Sequence, residues 1–150
     1  MILWREARRG DVPAVVALLR DDLLGATRES DELTPYLAAF DQMAQEGGNL
    51  LIVAEDGADG PIVATYQITF ISGLSLQAAR RAQIESVRVA QAQRGAGLGA
   101  ALMADAEARA RAAGCGLMQL TTNRTRERAQ AFYERLGFTA SHIGYKRNLD

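Results

Sequence analysis

At 150 residues, 48% hydrophobic and 23% charged, the sequence has the size and composition of a single globular domain, able to bury about two-thirds of the surface its unfolded chain exposes. Its 17 basic and 18 acidic residues give a net charge of −1, without the clustered basic surplus that nucleic-acid binding needs. The lone cysteine, Cys115, rules out an intrachain disulfide, and the lone histidine, His142, argues against a His-based metal cluster or a Ser-His-Asp triad.

Residues 2–6 are predicted to form a short first strand. This stretch lacks the long apolar core of a signal peptide, and no later run approaches ~20 apolar residues. A cytoplasmic chain with no membrane partner is expected. Asp11 is placed to cap a helix with Pro13 in its first turn, and Val15, Val16, Leu18 and Leu19 supply its apolar face. Residues 21–31 are polar, contain Gly25 and read as a loop. Thr34-Pro35 opens a second helix through Gln45, with Tyr36, Leu37, Phe40 and Met43 as its apolar stripe and Gly47-Gly48 as its stop. Residues 50–55 and 62–71 read as a hairpin around a turn at 56–60. A turn or linker at 76–81 leads to a central strand at 83–89. An Ala/Leu-rich helix over 100–113 follows, then a strand at 117–121, a helix from Arg128, and terminal strands near 138–143 and 144–149.

The most informative segment is Arg94-Gly95-Ala96-Gly97-Leu98-Gly99-Ala100, between the central strand and the long helix. Glycines let a backbone approach a ligand closely, and the free N–H groups of a helix start attract anions. Three phosphate-binding designs compete for it. A P-loop needs a lysine after its last glycine, and the only lysine is Lys146; that design is excluded. A dinucleotide fingerprint on Gly95-x-Gly97-x-x-Ala100 fails twice. Residues 90–94 separate strand from glycines, and the next strand-like run leads into Thr122 and Asn123, not a ribose-binding acid. The third design, Arg94-x-x-Gly97-x-Gly99 preceded by Val87-x-Val89, resembles motif A of the GNAT N-acetyltransferases, which wraps the pyrophosphate of acetyl-coenzyme A.

Downstream, Arg128-Ala129-Gln130-Ala131-Phe132-Tyr133-Glu134-Arg135-Leu136-Gly137-Phe138 resembles motif B of the same family. Ala129, Phe132, Tyr133 and Leu136 fall on one helix face, Gly137 is a stop, and Phe138 starts a strand. An ordinary amphipathic helix with two core aromatics explains that spacing equally well. What it leaves unexplained is the position of this helix, which follows motif A at the family's usual distance. The resemblance implies an α/β acyl-CoA N-acyltransferase fold, a mixed sheet splayed in its middle and flanked by helices, in one domain spanning 1–150. It is motif-level over residues 84–138 and rests on element order before that.

The resemblance also implies direct acetyl transfer from acetyl-CoA, as acyl-donor substrate and without a metal, to a primary amine of a small molecule or protein. The main-chain N–H groups of Arg94, Gly95, Ala96, Gly97, Leu98, Gly99 and Ala100 would hold the pyrophosphate, with the Arg94 guanidinium in support. Val87 and Val89 would offer a strand edge to the pantetheine amides; simple core packing is their other reading. Glu85, two residues before Val87, is the candidate base, and apolar neighbours would raise its pKa. Its alternative is an ion pair with Arg88 or Arg81. Tyr133 matches the motif B tyrosine that protonates the departing thiolate, and core packing is its alternative. Arg126 stands where many family members carry a cofactor-contacting asparagine, seven residues before the tyrosine. Asn123, ten before, is retained as a cofactor contact. Cys115 and His142 read as structural.

An acidic cluster, Asp21, Asp22, Glu29, Asp31 and Glu32, follows the first helix, where family members often shape the acceptor pocket. It would suit a cationic acceptor such as a polyamine or aminoglycoside, although charge runs are commonly just solvated faces. A module that senses acetyl-CoA without catalysis is the competing functional class, and a nicotinamide oxidoreductase a more distant one. Assembly into a homodimer is left open.

Overall fold

The computed structural model of the chain describes residues 1–21 and 24–150. Five strands form one sheet in chain order, β1 (Ile2–Glu6), β2 (Asn49–Asp56), β3 (Ile62–Ile71), β4 (Arg81–Val89) and β5 (Leu117–Leu120). The first four pair antiparallel, whereas β4 and β5 run parallel. Parallel pairing requires a crossover, and the long helix after the glycine segment provides it. The sheet is therefore mixed, as expected.

The helices are α1 (Val12–Arg20), a single turn α2 (Gly25–Arg28), α3 (Thr34–Glu46), a single turn α4 (Ser75–Ala78), α5 (Leu98–Ala112) and α6 (Glu127–Arg135). Side chains alternate across strands, which sorts the sheet into two faces. Ile52, Ala54, Tyr66, Ile68, Ala82 and Ile84 pack against Leu98, Leu102, Met103, Ala106 and Ala110 of α5. The opposite face meets α1, whose Val12, Val15, Val16 and Leu18 are buried. Helix α3 lies over the same face but buries no residue fully. Its Tyr36, Leu37, Phe40 and Met43 stay half-exposed.

Asp11 departs from its expected role. It makes no side-chain capping bond to α1. Its carboxylate instead accepts from the Arg8 N–H at 2.7 Å and from Arg5 at 2.7 Å, and Arg5 also pairs with Glu55. The Arg5 guanidinium holds both carboxyls below the usual carboxylate range. The result ties β1, β2 and the start of α1 together. The turn before β4 is also unusual: Leu76, Gln77 and Ala78 take left-handed backbone angles, φ +55, +58 and +59°. No glycine or asparagine there signals this in the sequence.

The two terminal strands expected at 138–143 and 144–149 do not form in the single chain. Residues 138–150 have no regular secondary structure, and only Phe138 among them is half-buried. Apolar alternation specifies which face of a strand is greasy, but the hydrogen bonds must come from a neighbouring edge. The available edge, β5, is four residues long.

One buried polar anchor holds α5 to the sheet. The Tyr66 hydroxyl, in a fully buried side chain, donates to Asp105 at 2.5 Å, and Arg109 donates to the same carboxylate at 2.8 Å. Burial, reinforced by Asp105, pushes the Tyr66 phenol far above its usual pKa, so it stays a donor. Tyr66→Phe is expected to cost about 1.5–3 kcal/mol, the scale of a hydrogen bond to a charged group, read as a lower urea midpoint with an unchanged slope. An unchanged midpoint would mean that solvent already satisfies Asp105.

Candidate active site

The site begins where the sheet comes apart. β5 pairs with β4 only from Arg81 to Ile84, so residues 85–89 have no β5 partner on that edge. On the other side, Thr65 pairs with Arg88 and Gln67 with Glu85, which leaves Tyr66 opposite Ser86 and Val87 together. This is a β-bulge, and Ser86 takes φ +55° within it. The extra residue returns Val87 and Val89 to the α5 face, where they pack with the core that holds Ile84. Ile84, Val87 and Val89 cannot share a face of an unbroken strand. That phase break is the sequence signal for the bulge.

The glycine turn follows. Gly97 caps α5 with φ +79° and Gly95 has φ +85°, and a Cβ on either would meet nothing within 4 Å. The first helical bond runs from Ala101 N–H to the Gly97 carbonyl at 3.1 Å, so the N–H groups of Leu98, Gly99 and Ala100 have no helical acceptor. Leu98 contributes its backbone alone, because its side chain is core. Gly99 has a second duty: a Cβ there would lie 3.2 Å from the Phe132 ring, so its smallness lets α6 dock on α5. Ala96 and Ala100 are exposed. Arg94 is exposed too, but its guanidinium already donates to the carbonyls of Val89 (3.2 Å) and Asp21 (3.4 Å).

Tyr133 sits half-buried between Phe132 and Phe138, with ring centroids 5.3 and 5.9 Å away in edge-on contacts. Burial pushes its phenol above the usual value, while the positive charges of Arg126 and Arg88 pull it down. The sequence marks Arg126 only as a departure from a family position, and Arg88 only as a partner for Glu85. Asn123 uses its side-chain carbonyl locally, accepting from Thr125 N–H at 3.0 Å and Thr125 Oγ1 at 2.7 Å. Glu85 lies opposite Gln67 and is exposed. Its neighbours Ile84 and Val87 belong to the other face of the sheet, so the apolar enclosure expected around its carboxylate is not formed. The Glu85 carboxylate makes no hydrogen bond or ion pair among the described residues.

On the Glu85 face a cavity of about 150 Å³ opens between α1, α3 and the strands. Val16, Leu19, Phe40 and Met43 make it apolar, and Tyr36, Gln67 and Ser86 bring polar atoms to its wall. Three of the acids expected to shape this region have local partners. Glu29 accepts from the Tyr36 hydroxyl at 2.9 Å, Asp31 pairs with Arg20, and Glu32 accepts from Thr34 N–H at 3.0 Å. Asp21 is exposed, and Asp22 lies outside the described residues. Among the described residues, no group of three His, Cys, Asp or Glu could hold a metal ion, and no helix is long and apolar enough to cross a membrane.

No curated protein matches the sequence significantly. Among solved structures, a protein described as a transcriptional regulator from Bacillus halodurans C-125 is 43% identical, with a TM-score of 0.93 over 99% of this chain and 100% of that one. A Trypanosoma brucei acetyltransferase is 27% identical, with a TM-score of 0.80 over 99% and 100%. A structure from Clostridium acetobutylicum determined with acetyl-CoA shares the fold at 18% identity, with a TM-score of 0.75 over 99% and 96%. The acetyltransferase (GNAT) family model matches residues 13–138. With that match spanning most of the chain, and a mixed sheet that opens beside a glycine turn, the chain belongs to the GNAT family of acetyltransferases.

Proposed function

We propose that the chain is an acetyl-CoA-dependent N-acetyltransferase acting by direct attack of a primary amine, and that this amine is carried on an apolar body. The observation that carries the reading is the unpaired β4 edge over residues 85–89, which runs into the bare first turn of α5. Acetyl-CoA, when bound, supplies the acyl group as a thioester. The main chain at Val87 and Val89 would take the pantetheine amides as an added strand. The N–H groups at 97–100 would take the pyrophosphate, aided by the helix dipole. Arg94 would reach a phosphate by releasing its carbonyl partners, and Asn123 has its side-chain NH₂ left for a cofactor contact.

Moving an acyl group from sulfur to an ammonium nitrogen takes two protons from the nitrogen, one before attack and one as the amide forms, and gives one to the departing sulfur, so one proton leaves to solvent. Glu85 suits the first task, directly or through a water, because its carboxylate is accessible from the cavity side of the sheet. Tyr133 suits the second, because burial keeps its hydroxyl protonated. The two approach from opposite faces of β4, which separates base from acid. For the acceptor, the apolar cavity and the locally engaged acids favour an alkyl or aryl amine, free or on a protein, over a polyamine.

A second reading has one specific support: the 43% identical protein is described as a transcriptional regulator. A sensor of acetyl-CoA would keep the donor site and dispense with turnover. Thiol release with acetyl-CoA across a panel of primary amines separates the two. Release is expected, with aryl and branched-alkyl amines preferred over polyamines by about tenfold or more, the scale set by roughly one buried methylene. Donor binding without release on any amine would hand the function to the sensor reading. Equal or faster release with polyamines would remove the apolar acceptor.

A further inference from the structure

The open edge of β4 is covered by arginines. The Ala90 N–H donates to the Val63 carbonyl next to β3's first paired residues at 2.8 Å, and successive residues of an antiparallel strand turn their main-chain groups alternately to either side. Val89 and Val87 therefore turn their carbonyls away from β3, toward the edge that β5 leaves open. Each carbonyl accepts from a guanidinium. Arg94 Nε reaches Val89 at 3.2 Å, and Arg88 Nη1 reaches Val87 at 2.9 Å. Charged side chains commonly shield a sheet edge, but these two cover the carbonyls that a pantetheine strand would need.

What each guanidinium does once displaced depends on what lies near it. Arg94 opens the glycine turn. Arg88 leaves β4 on the cavity face, opposite Thr65, and folds back to the edge, where its charge acts on the Tyr133 phenol of α6. Arg126, at the start of α6, acts on the same phenol, and Glu85 lies on Arg88's own face of β4. Arg88 thus joins the base side of the strand to its acid side. The chemistry there calls for a cation. An ordinary phenol is a weaker acid than a thiol, about pKa 10 against about 8.5, and burial weakens Tyr133 further. Tyr133 alone would give its proton to sulfur uphill. A positive charge beside the sulfur stabilises both the departing thiolate and the phenolate that replaces it.

We propose that Arg88 is a catalytic residue of the transfer, surrendering the Val87 carbonyl to the pantetheine strand and turning its guanidinium onto the departing sulfur beside Tyr133. This role rests on the acetyl-transfer reading of the donor site. Tyr133 gives its proton to the sulfur, which keeps the electron pair of the broken C–S bond, and takes one back from solvent. Arg88 stays protonated throughout. Arg94 makes the parallel exchange at Val89, toward the pyrophosphate. The two arginines keep the edge closed to other strands until a ligand brings both main-chain partners for the carbonyls and negative charge for the cations.

Titration of the thiol of bound coenzyme A, followed by thiolate absorbance on the full chain, tests this without an amine or turnover. In the parent, the bound thiol should titrate about one pH unit or more below that of free coenzyme A, as expected of a thiol beside a cation. Arg88→Met should return it toward the free value and lower turnover about tenfold or more, a factor of ten for each pH unit. Arg88→Lys keeps the charge and should keep most of the depression. A parent whose bound thiol titrates like free coenzyme A would leave the donor site standing and remove Arg88 from the reaction; that result needs no variant and holds even if Arg88→Met misfolds. So would an Arg88→Met protein that titrates like the parent, or a lysine that restores nothing. Coenzyme A that fails to raise the thermal midpoint of the parent would remove the acetyl-transfer reading itself, and the role of Arg88 with it.

Discussion

Tyr133→Phe should lower turnover by about 10- to 10⁴-fold, the upper part of that range being typical for loss of a general acid and the lower part for partial rescue by water. The ring remains, and its edge-on contacts with Phe132 and Phe138 need no hydroxyl. Stability and the affinity for acetyl-CoA should therefore change little. The cause can be isolated by changing the leaving group: with a donor analogue whose thiol is more acidic, the deficit should shrink, because a better leaving group needs less protonation. Turnover within about twofold of the parent, with a drop in stability, would make Tyr133 a core residue whose hydroxyl is satisfied elsewhere.

Gly97→Leu should abolish the rise in thermal midpoint that acetyl-CoA produces. A ligand at 100 times its Kd stabilises by about 2.7 kcal/mol, a shift of roughly 5–10 °C for a chain of this length. Leucine at φ +79° carries its own backbone penalty, about 1–2 kcal/mol, so the unliganded midpoint should fall as well. Gly114 supplies the control. It has φ +78° and open space where a Cβ would point, but it follows the far end of α5. Gly114→Leu should lower the unliganded midpoint comparably and keep the full acetyl-CoA shift. If Gly97→Leu also kept it, the pyrophosphate would be bound somewhere other than this turn. Gly99 is a poorer probe, because a side chain there presses on Phe132 and disturbs α6 first.

Elements with a local cause were legible in the sequence. Residues 2–6 and 62–71 form strands with the expected bounds; Thr34-Pro35 opens α3, and Gly47-Gly48 closes it. The glycine turn was legible because φ > 0 and a bare helix start are properties of a few consecutive residues. Features set by distant partners were hidden. The left-handed turn at Leu76 to Ala78 has no glycine to announce it. The half-exposure of Phe40 and Met43 depends on how far α3 stands from the sheet, which no periodicity encodes. Asp11 was expected to cap because it precedes a helix, but Arg5, six residues earlier, captures it. The tail, expected as two strands, forms neither in the single chain, because a strand also needs a neighbouring edge to supply its hydrogen bonds, and its own residues do not encode one.

The bulge at Ser86 corrects a frameshift that the sequence carries. Counted by twos from Ile84, the α5 face would fall to Ser86 and Arg88, and the two valines would look out over the cavity. Setting two residues against Tyr66 restores the count. Deleting Ser86 would therefore move nothing: Val87 would stand alone opposite Tyr66, and every later side chain would keep its face. Straightening the strand with Ser86 retained would do the opposite, and Arg88 would point into the greasy layer under α5. Lengthening or shortening the loops at the sheet's ends moves no side chain across it. Here, the backbone of one residue decides which side chains face α5 and which face the cavity.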